Sequence, residues 1–153
     1  MGNWKMNHTI QEANAFCEDV KNAGLVKIAR SKGVMIGVAP SYLALQSVRK
    51  HAHSLIVASQ DAHYMDHGAY TSSVSIPMLK EIGIDWSIIG HSEKRTYEGE
   101  TSFTCNRKIK ALVANKFHVI YCVGETAKEY DEKITKDVIR EQIVTGLAGL
   151  AKE

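Results

Sequence analysis

A parallel α/β fold is predicted for this chain of 153 residues. Three observations predict it: four short apolar runs, helical spacing in the segments between them, and regular alternation of the two. The runs occupy residues 34–39, 55–59, 86–89 and 119–123. None alternates apolar with polar positions, so each strand is expected to be covered on both faces, as in a parallel sheet flanked by helices. Thr9-Ile10-Gln11-Glu12 and Thr126-Ala127-Lys128-Glu129 have the capping-box form, in which a hydroxyl and a carboxylate satisfy orphan amides at a helix start. The first box opens a face of Ala13, Phe16, Cys17 and Val20. The second opens one long helix that runs to the end of the chain and shows Ile134, Val138, Val144, Leu147 and Leu150. Between them, Ser75-Ile76-Pro77 starts a short helix ending at Gly83, and another spans about 101–115 with Cys105, Ile109 and Leu112 inward. Strand, loop and helix thus repeat with right-handed crossovers. Such a series opens into a doubly wound sheet or closes into an eight-stranded barrel, and periodicity does not choose between them. Neither G-x-G-x-x-G nor G-x-x-x-x-G-K-S/T occurs, which argues against the nucleotide-binding open sheets.

Composition narrows the classes further. With 44% hydrophobic residues, the chain has enough apolar material for a core, and residues 1–153 are expected to form a single domain. The 19 Lys and Arg and 17 Asp and Glu are spread without runs, so no nucleic-acid partner is expected. No apolar stretch approaches the ~20 residues of a membrane span, and no membrane partner is expected. Cys17, Cys105 and Cys122 lack a paired spacing and read as free thiols in a reducing, cytoplasmic setting.

In parallel α/β folds, chemistry collects at the carboxyl ends of the strands. Asn3-Trp4-Lys5-Met6-Asn7 follows the first, short strand. After residues 86–89 comes Gly90-His91-Ser92-Glu93-Lys94-Arg95, which places an imidazole, a hydroxyl, a carboxylate and two cations side by side. Ser92 is not a nucleophile elbow, because that turn needs glycine at positions 90 and 94 and Lys94 breaks it. His51 with His53, and His63 with His67, lack a third ligand and flank loop-like sequence, so no metal site is expected. His8 and His118 read as surface or strand-edge residues, and Cys122 as a packed thiol and not a nucleophile.

Gly2-Asn3-Trp4-Lys5-Met6-Asn7, Ile88-Ile89-Gly90-His91-Ser92-Glu93 and Tyr121-Cys122-Val123-Gly124-Glu125-Thr126 resemble three signature segments of the triosephosphate isomerase family, in that family's order and spacing. Gln60-Asp61 and Gly68-Ala69-Tyr70-Thr71 also resemble their counterparts, so the likeness extends over essentially the whole chain. The resemblance implies a TIM (β/α)8 barrel, here about its first five βα units. It also implies interconversion of dihydroxyacetone phosphate and glyceraldehyde 3-phosphate through an enediolate, without cofactor or metal. On the matching positions, Lys5 would be the fixed cation near the substrate oxygens and phosphate, and Asn3 would position it and line the pocket. His91 would be the electrophile, a neutral imidazole polarising the carbonyl, with Glu93 a neighbouring carboxylate able to pair with Lys5. Ser92 and Glu125 would hold the loop ends. Thr71 would sit on the loop that builds a homodimer of the full-length protein. Ser73 and Lys94 stand where the family commonly carries Glu and Arg, so an ion pair between loops is expected to be missing or altered.

A complete barrel of this type takes ~250 residues. In the family the general base, the lid and most of the phosphate site follow later strands, and the first strand begins several residues earlier. The expectation is therefore a front fragment, inactive alone and sticky, because five parallel strands leave two edges and an inner apolar face uncovered. The alternative is a non-catalytic truncated product that associates with an intact subunit.

Overall fold

The computed structural model describes residues 1–52 and 55–150. In chain order its elements are β1 Gly2–Asn3, α1 Ile10–Asn22, α2 Leu25–Ser31, β2 Gly37–Ala39, α3 Tyr42–His51, β3 Ile56–Ser59, α4 Ile76–Glu81, β4 Trp86–Ile89, α5 Ser92–Glu98, α6 Ser102–Ala114, β5 His118–Tyr121, α7 Ala127–Asp131 and α8 Thr135–Gly146. The strand order is β1-β2-β3-β4-β5. Pairing is parallel, with Gly2 opposite Val38, Gly37 opposite Ile56 and Ala58 opposite Trp86. The parallel α/β architecture expected from the apolar runs is present. The chain divides into two compact units, residues 1–61 with 77–87, and residues 62–76 with the chain from Ile88 onward.

In the first unit, the Thr9 hydroxyl accepts from the Glu12 amide at 3.3 Å while the Glu12 carboxylate accepts from the Thr9 amide at 2.8 Å, so the expected capping box starts α1. Ala13, Cys17 and Val20 are buried, and Phe16 is half-buried against Trp4. α1 packs on α3, and the Ser47 hydroxyl donates to Asn14 Oδ1 at 2.7 Å across that seam. Pro77 occupies the first turn of α4, where its missing N–H has no helical partner to lose. In the sheet interior the Ser59 and Ser87 hydroxyls satisfy each other at 2.8 Å. The run at 34–39 is shorter as a strand than expected. β1 pairs with Val38 and Ala39 alone, so Val34 and Met35 stay 51% and 74% exposed.

In the second unit, Cys105, Ile109 and Leu112 are the buried face of α6, as their spacing predicts. The Cys122 amide donates to the Ile89 carbonyl at 2.8 Å, beside the end of β4. The single long terminal helix is corrected to two. Lys133 adopts φ +60° as α7 closes, with its amide bonded to the Tyr130 carbonyl, and α8 begins afresh at Thr135. The expected apolar face is corrected as well: Ile134, Val144 and Leu147 are 37%, 63% and 40% exposed, whereas Gln142 and Gly146 are buried. α8 is held by polar contacts instead, with the Asn106 amide donating to the Gly146 and Ala148 carbonyls at 2.9 and 3.0 Å. No helix among the described residues is long and apolar enough to cross a membrane.

Thr9→Ala is expected to lower the unfolding free energy by about 1 kcal/mol, read from the urea midpoint. The backbone amide and hydroxyl of Thr9 hold the Glu12 carboxyl below its ordinary 4.5, and Thr126 does the same for Glu129. Depressed carboxylates give stability that is complete above the unfolded-state value and is lost as pH falls through the folded one. Acid titration should therefore show helix loss beginning below about pH 4.5, with a smaller acid dependence in a Thr9→Val, Thr126→Val chain.

Candidate active site

The residues singled out above divide between the units: Asn3 and Lys5 lie in the first, and Thr71, His91, Ser92, Glu93 and Glu125 in the second. In the first unit the chain leaves β1 and turns sharply, with Lys5 at φ +54°. A side chain in that left-handed region costs about 1–2 kcal/mol, so the surroundings must hold it. They do so from three directions. Asn3 Oδ1 accepts the Lys5 amide at 2.9 Å, and the Gln60 side chain donates to the Lys5 and Ala39 carbonyls at 2.9 Å each. The Trp4 amide donates to the Ala39 carbonyl at 3.0 Å. Asn3 thus touches Lys5 through its backbone, and the direction of the lysine is set from β1, β2 and the end of β3.

In the second unit, β4 delivers Gly90 and His91 directly into α5. Most of the six-residue cluster is the start of this helix, Ser92–Glu98, with His91 as its N-cap. His91 Nδ1 accepts from the Glu93 amide at 3.2 Å and lies 3.5 Å from the Glu93 carboxylate. A backbone N–H can only donate, so in the shorter of these two contacts Nδ1 is the acceptor. With Nδ1 facing that amide, Nε2 is the ring nitrogen left to face outward as a donor. A cavity of about 330 Å³ is lined by His91, Ser92 and Glu125 together with Gly90, Arg95, Cys122 and Gly124. Glu125 Oε1 accepts from the Thr135 hydroxyl at 3.3 Å.

Arg95 was visible in the sequence only as part of the cluster, yet it ties the site together. Its Nε donates to the Gly90 carbonyl at 2.9 Å, and Nη2 donates to the Tyr121 hydroxyl at 3.1 Å and the Cys122 carbonyl at 3.4 Å. Glu100, missed altogether, accepts from the Gly90 amide at 3.1 Å and forms a buried ion pair with Lys108. Burial pushes the Cys122 thiol up, with Arg95 pulling more weakly the other way, which suits packing and not attack. Burial also raises the Cys17 thiol.

Thr71 lies exposed in the loop from His63 to Ser75. The loop is closed at its base by the His63 amide donating to the Val74 carbonyl at 2.8 Å. His63 stacks on Tyr64, whose ring also carries the Arg107 guanidinium at 3.8 Å. His63 and His67 are loop residues; His51 ends α3, and its partner at position 53 lies outside the described residues. Among the described residues no group of three His, Cys, Asp or Glu side chains is placed to hold a metal ion. Lys94 pairs with Glu98 along α5.

A family model described as triosephosphate isomerase matches residues 1–153. Triosephosphate isomerases of Clostridium perfringens and Chlorobium luteolum are each 42% identical, with the matches covering 99% of this chain and 60% of theirs. The crystal structure of triosephosphate isomerase from Bartonella henselae matches 98% of the chain and 61% of its own length, with a TM-score of 0.84 and 29% identity. The chain therefore spans 60% of the length of the curated relatives.

Gly90 and Gly99 provide a paired test of the strand end. Both have positive φ, +77° and +68°, but a Cβ on Gly90 would lie 2.9 Å from the Tyr121 ring and 3.1 Å from Cys105 Sγ, whereas one on Gly99 meets nothing within 4 Å. Gly99→Ala should cost only the backbone strain, about 1 kcal/mol. Gly90→Ala should cost roughly 2 kcal/mol more through overpacking, measured as the difference in denaturant midpoints.

Proposed function

The chain belongs to the triosephosphate isomerase family, and on that premise we propose that the polypeptide carrying these residues interconverts dihydroxyacetone phosphate and D-glyceraldehyde 3-phosphate, a step of glycolysis and gluconeogenesis. The observation that carries the reading is the state of His91, an imidazole whose Nδ1 is occupied by the Glu93 amide and whose Nε2 is left as the donor.

The reaction moves one proton between neighbouring carbons. A base removes it from the carbon beside the carbonyl, the carbonyl oxygen takes up the charge, and an enediolate forms. A neutral N–H donor fixed at a strand end stabilises that oxygen without reorganising during the step. In this reading His91 Nε2 is that donor. Lys5, its backbone held by Asn3 and Gln60, supplies a fixed positive charge for the substrate oxygens and phosphate. Glu93 contributes its backbone amide, which occupies Nδ1 of His91, and is the neighbouring carboxylate of the site. Ser92 and Glu125 hold the loop ends. The base that abstracts the carbon-bound proton is assigned to a carboxylate outside these 153 residues, as the family's pattern implies, and the chain alone is expected to turn over negligibly. No metal or cofactor enters the scheme. We place the complete protein in the cytoplasm as a homodimer, with the Thr71 loop at the subunit contact.

The test is a chimera of residues 1–153 with the remaining part of the Clostridium perfringens relative, assayed for isomerisation of glyceraldehyde 3-phosphate by a coupled reaction. Activity is expected in the chimera, with a loss of about 10²–10⁴-fold in its His91→Gln variant, the usual range for a positioned proton donor. A folded chimera without activity, or one indifferent to the substitution, would sink the reading. The chimera should sediment as a dimer at micromolar concentration, and a monomer there would remove the role given to the Thr71 loop.

A further inference from the structure

We propose that Gln142, on α8, is a positioning residue for His91 that acts through Tyr121 and Arg95 without touching substrate; the inference rests on the reading of His91 as the donor to the enediolate oxygen. Gln142 is 8% exposed, and its side-chain amide meets the main chain of Gly124 at both ends. The Gly124 amide donates to Oε1 at 2.8 Å, and Nε2 donates to the Gly124 carbonyl at 2.9 Å. The main-chain carbonyl of Gln142 accepts the Tyr121 hydroxyl at 2.8 Å. That hydroxyl accepts from Arg95 Nη2 at 3.1 Å, and Arg95 Nε donates to the Gly90 carbonyl at 2.9 Å. Gly90 is the residue before His91.

The direction of every bond in this series is fixed. Arg95 is charged at all working pH values and can only donate, so the Tyr121 oxygen receives a hydrogen from it and sends its own to Gln142. The polarity therefore has no second arrangement to flip into. Packing makes the series stiff as well as continuous. The Tyr121 ring lies between two glycines: a Cβ on Gly90 would come within 2.9 Å of the ring, and one on Gly146 within 2.3 Å of the hydroxyl oxygen. α8 approaches this closely because residue 146 has no side chain. A shift of Gln142 is thus passed to Tyr121, to Arg95 and to the backbone that aims His91, besides acting on Gly124.

The bland alternative is a staple that merely ties α8 to the segment after β5. The two separate in long-range proton–nitrogen NMR spectra of the histidine rings of the 153-residue chain, with His91 assigned by His91→Gln. Tyr121→Phe, which removes the hydroxyl joining Gln142 to Arg95, is expected to shift the His91 ring nitrogens away from the single Nε2-protonated tautomer, and Gln142→Ala, which keeps the carbonyl but frees it from the clamp on Gly124, to shift them less. Ile109→Val, a mild change in the buried face of α6, should leave them in place. Ring nitrogens unmoved in both variants while the Gly124 amide shifts would overturn the proposal, as would an equal movement in Ile109→Val. Tyr121→Phe keeps the test decisive if Gln142→Ala unfolds. The readout needs no turnover, so the two ideas fail differently: a wild-type ring protonated at Nδ1 counts against the isomerase reading, whereas an unmoved ring in the variants counts against the role of Gln142.

Discussion

The candidate site of the second unit depends on one guanidinium. Arg95 reaches from α5 to the Gly90 and Cys122 carbonyls, the residues immediately past β4 and β5. A strand that ends in a loop leaves carbonyls without ladder partners, and an unpaired buried carbonyl costs about 1–3 kcal/mol. Arg95 removes that cost at two strands at once with a group that cannot lose its charge. Lysine has no planar fork and would reach one of these acceptors at a time. The backbone that leads into His91 is thereby fixed before the ring is placed.

Lys5 presents the complementary problem in the first unit. Its backbone sits in a region that side chains avoid, and the strain is held by neighbours that are short, rigid and polar. The Asn3 side chain closes a local turn, and Gln60 bridges two carbonyls from a third strand. Strain concentrated at one residue, with the surroundings over-determining it, is the usual pattern of a preorganised site, which is the role proposed for Lys5.

Much of the fold was legible because it follows local rules. Both threonine capping boxes form, β4 occupies the residues its apolar run indicated, and the inward face of α6 is the one its spacing indicated. What was illegible depends on partners distant in sequence. The buried face of α8 is set by Asn106 reaching the Gly146 carbonyl and by Gln142 reaching Gly124, contacts that no apolar periodicity encodes. α5 stayed hidden because a histidine caps it and few of its residues are apolar. α3 went unread although Ala44, Leu45 and Val48 have helical spacing after Pro40-Ser41, because its start lacks a capping box. In the site, the resemblance pointed to His91 and Lys5, whereas Arg95 and Glu100 act on main-chain atoms and leave no pattern in side-chain identities.

The two compact units are not consecutive stretches of chain. The path passes from one to the other after residues 61, 76 and 87, three times in all. During synthesis from the N-terminus, the first unit stays incomplete until residues 77–87 emerge, by which time the opening segment of the second, 62–76, has been made without the rest of its unit. Neither unit can therefore finish before the other has begun, and at roughly 5–20 residues per second the nascent chain spends seconds with apolar segments exposed. A chain with two uninterrupted units could complete the first before beginning the second, an order of assembly that this threading does not allow.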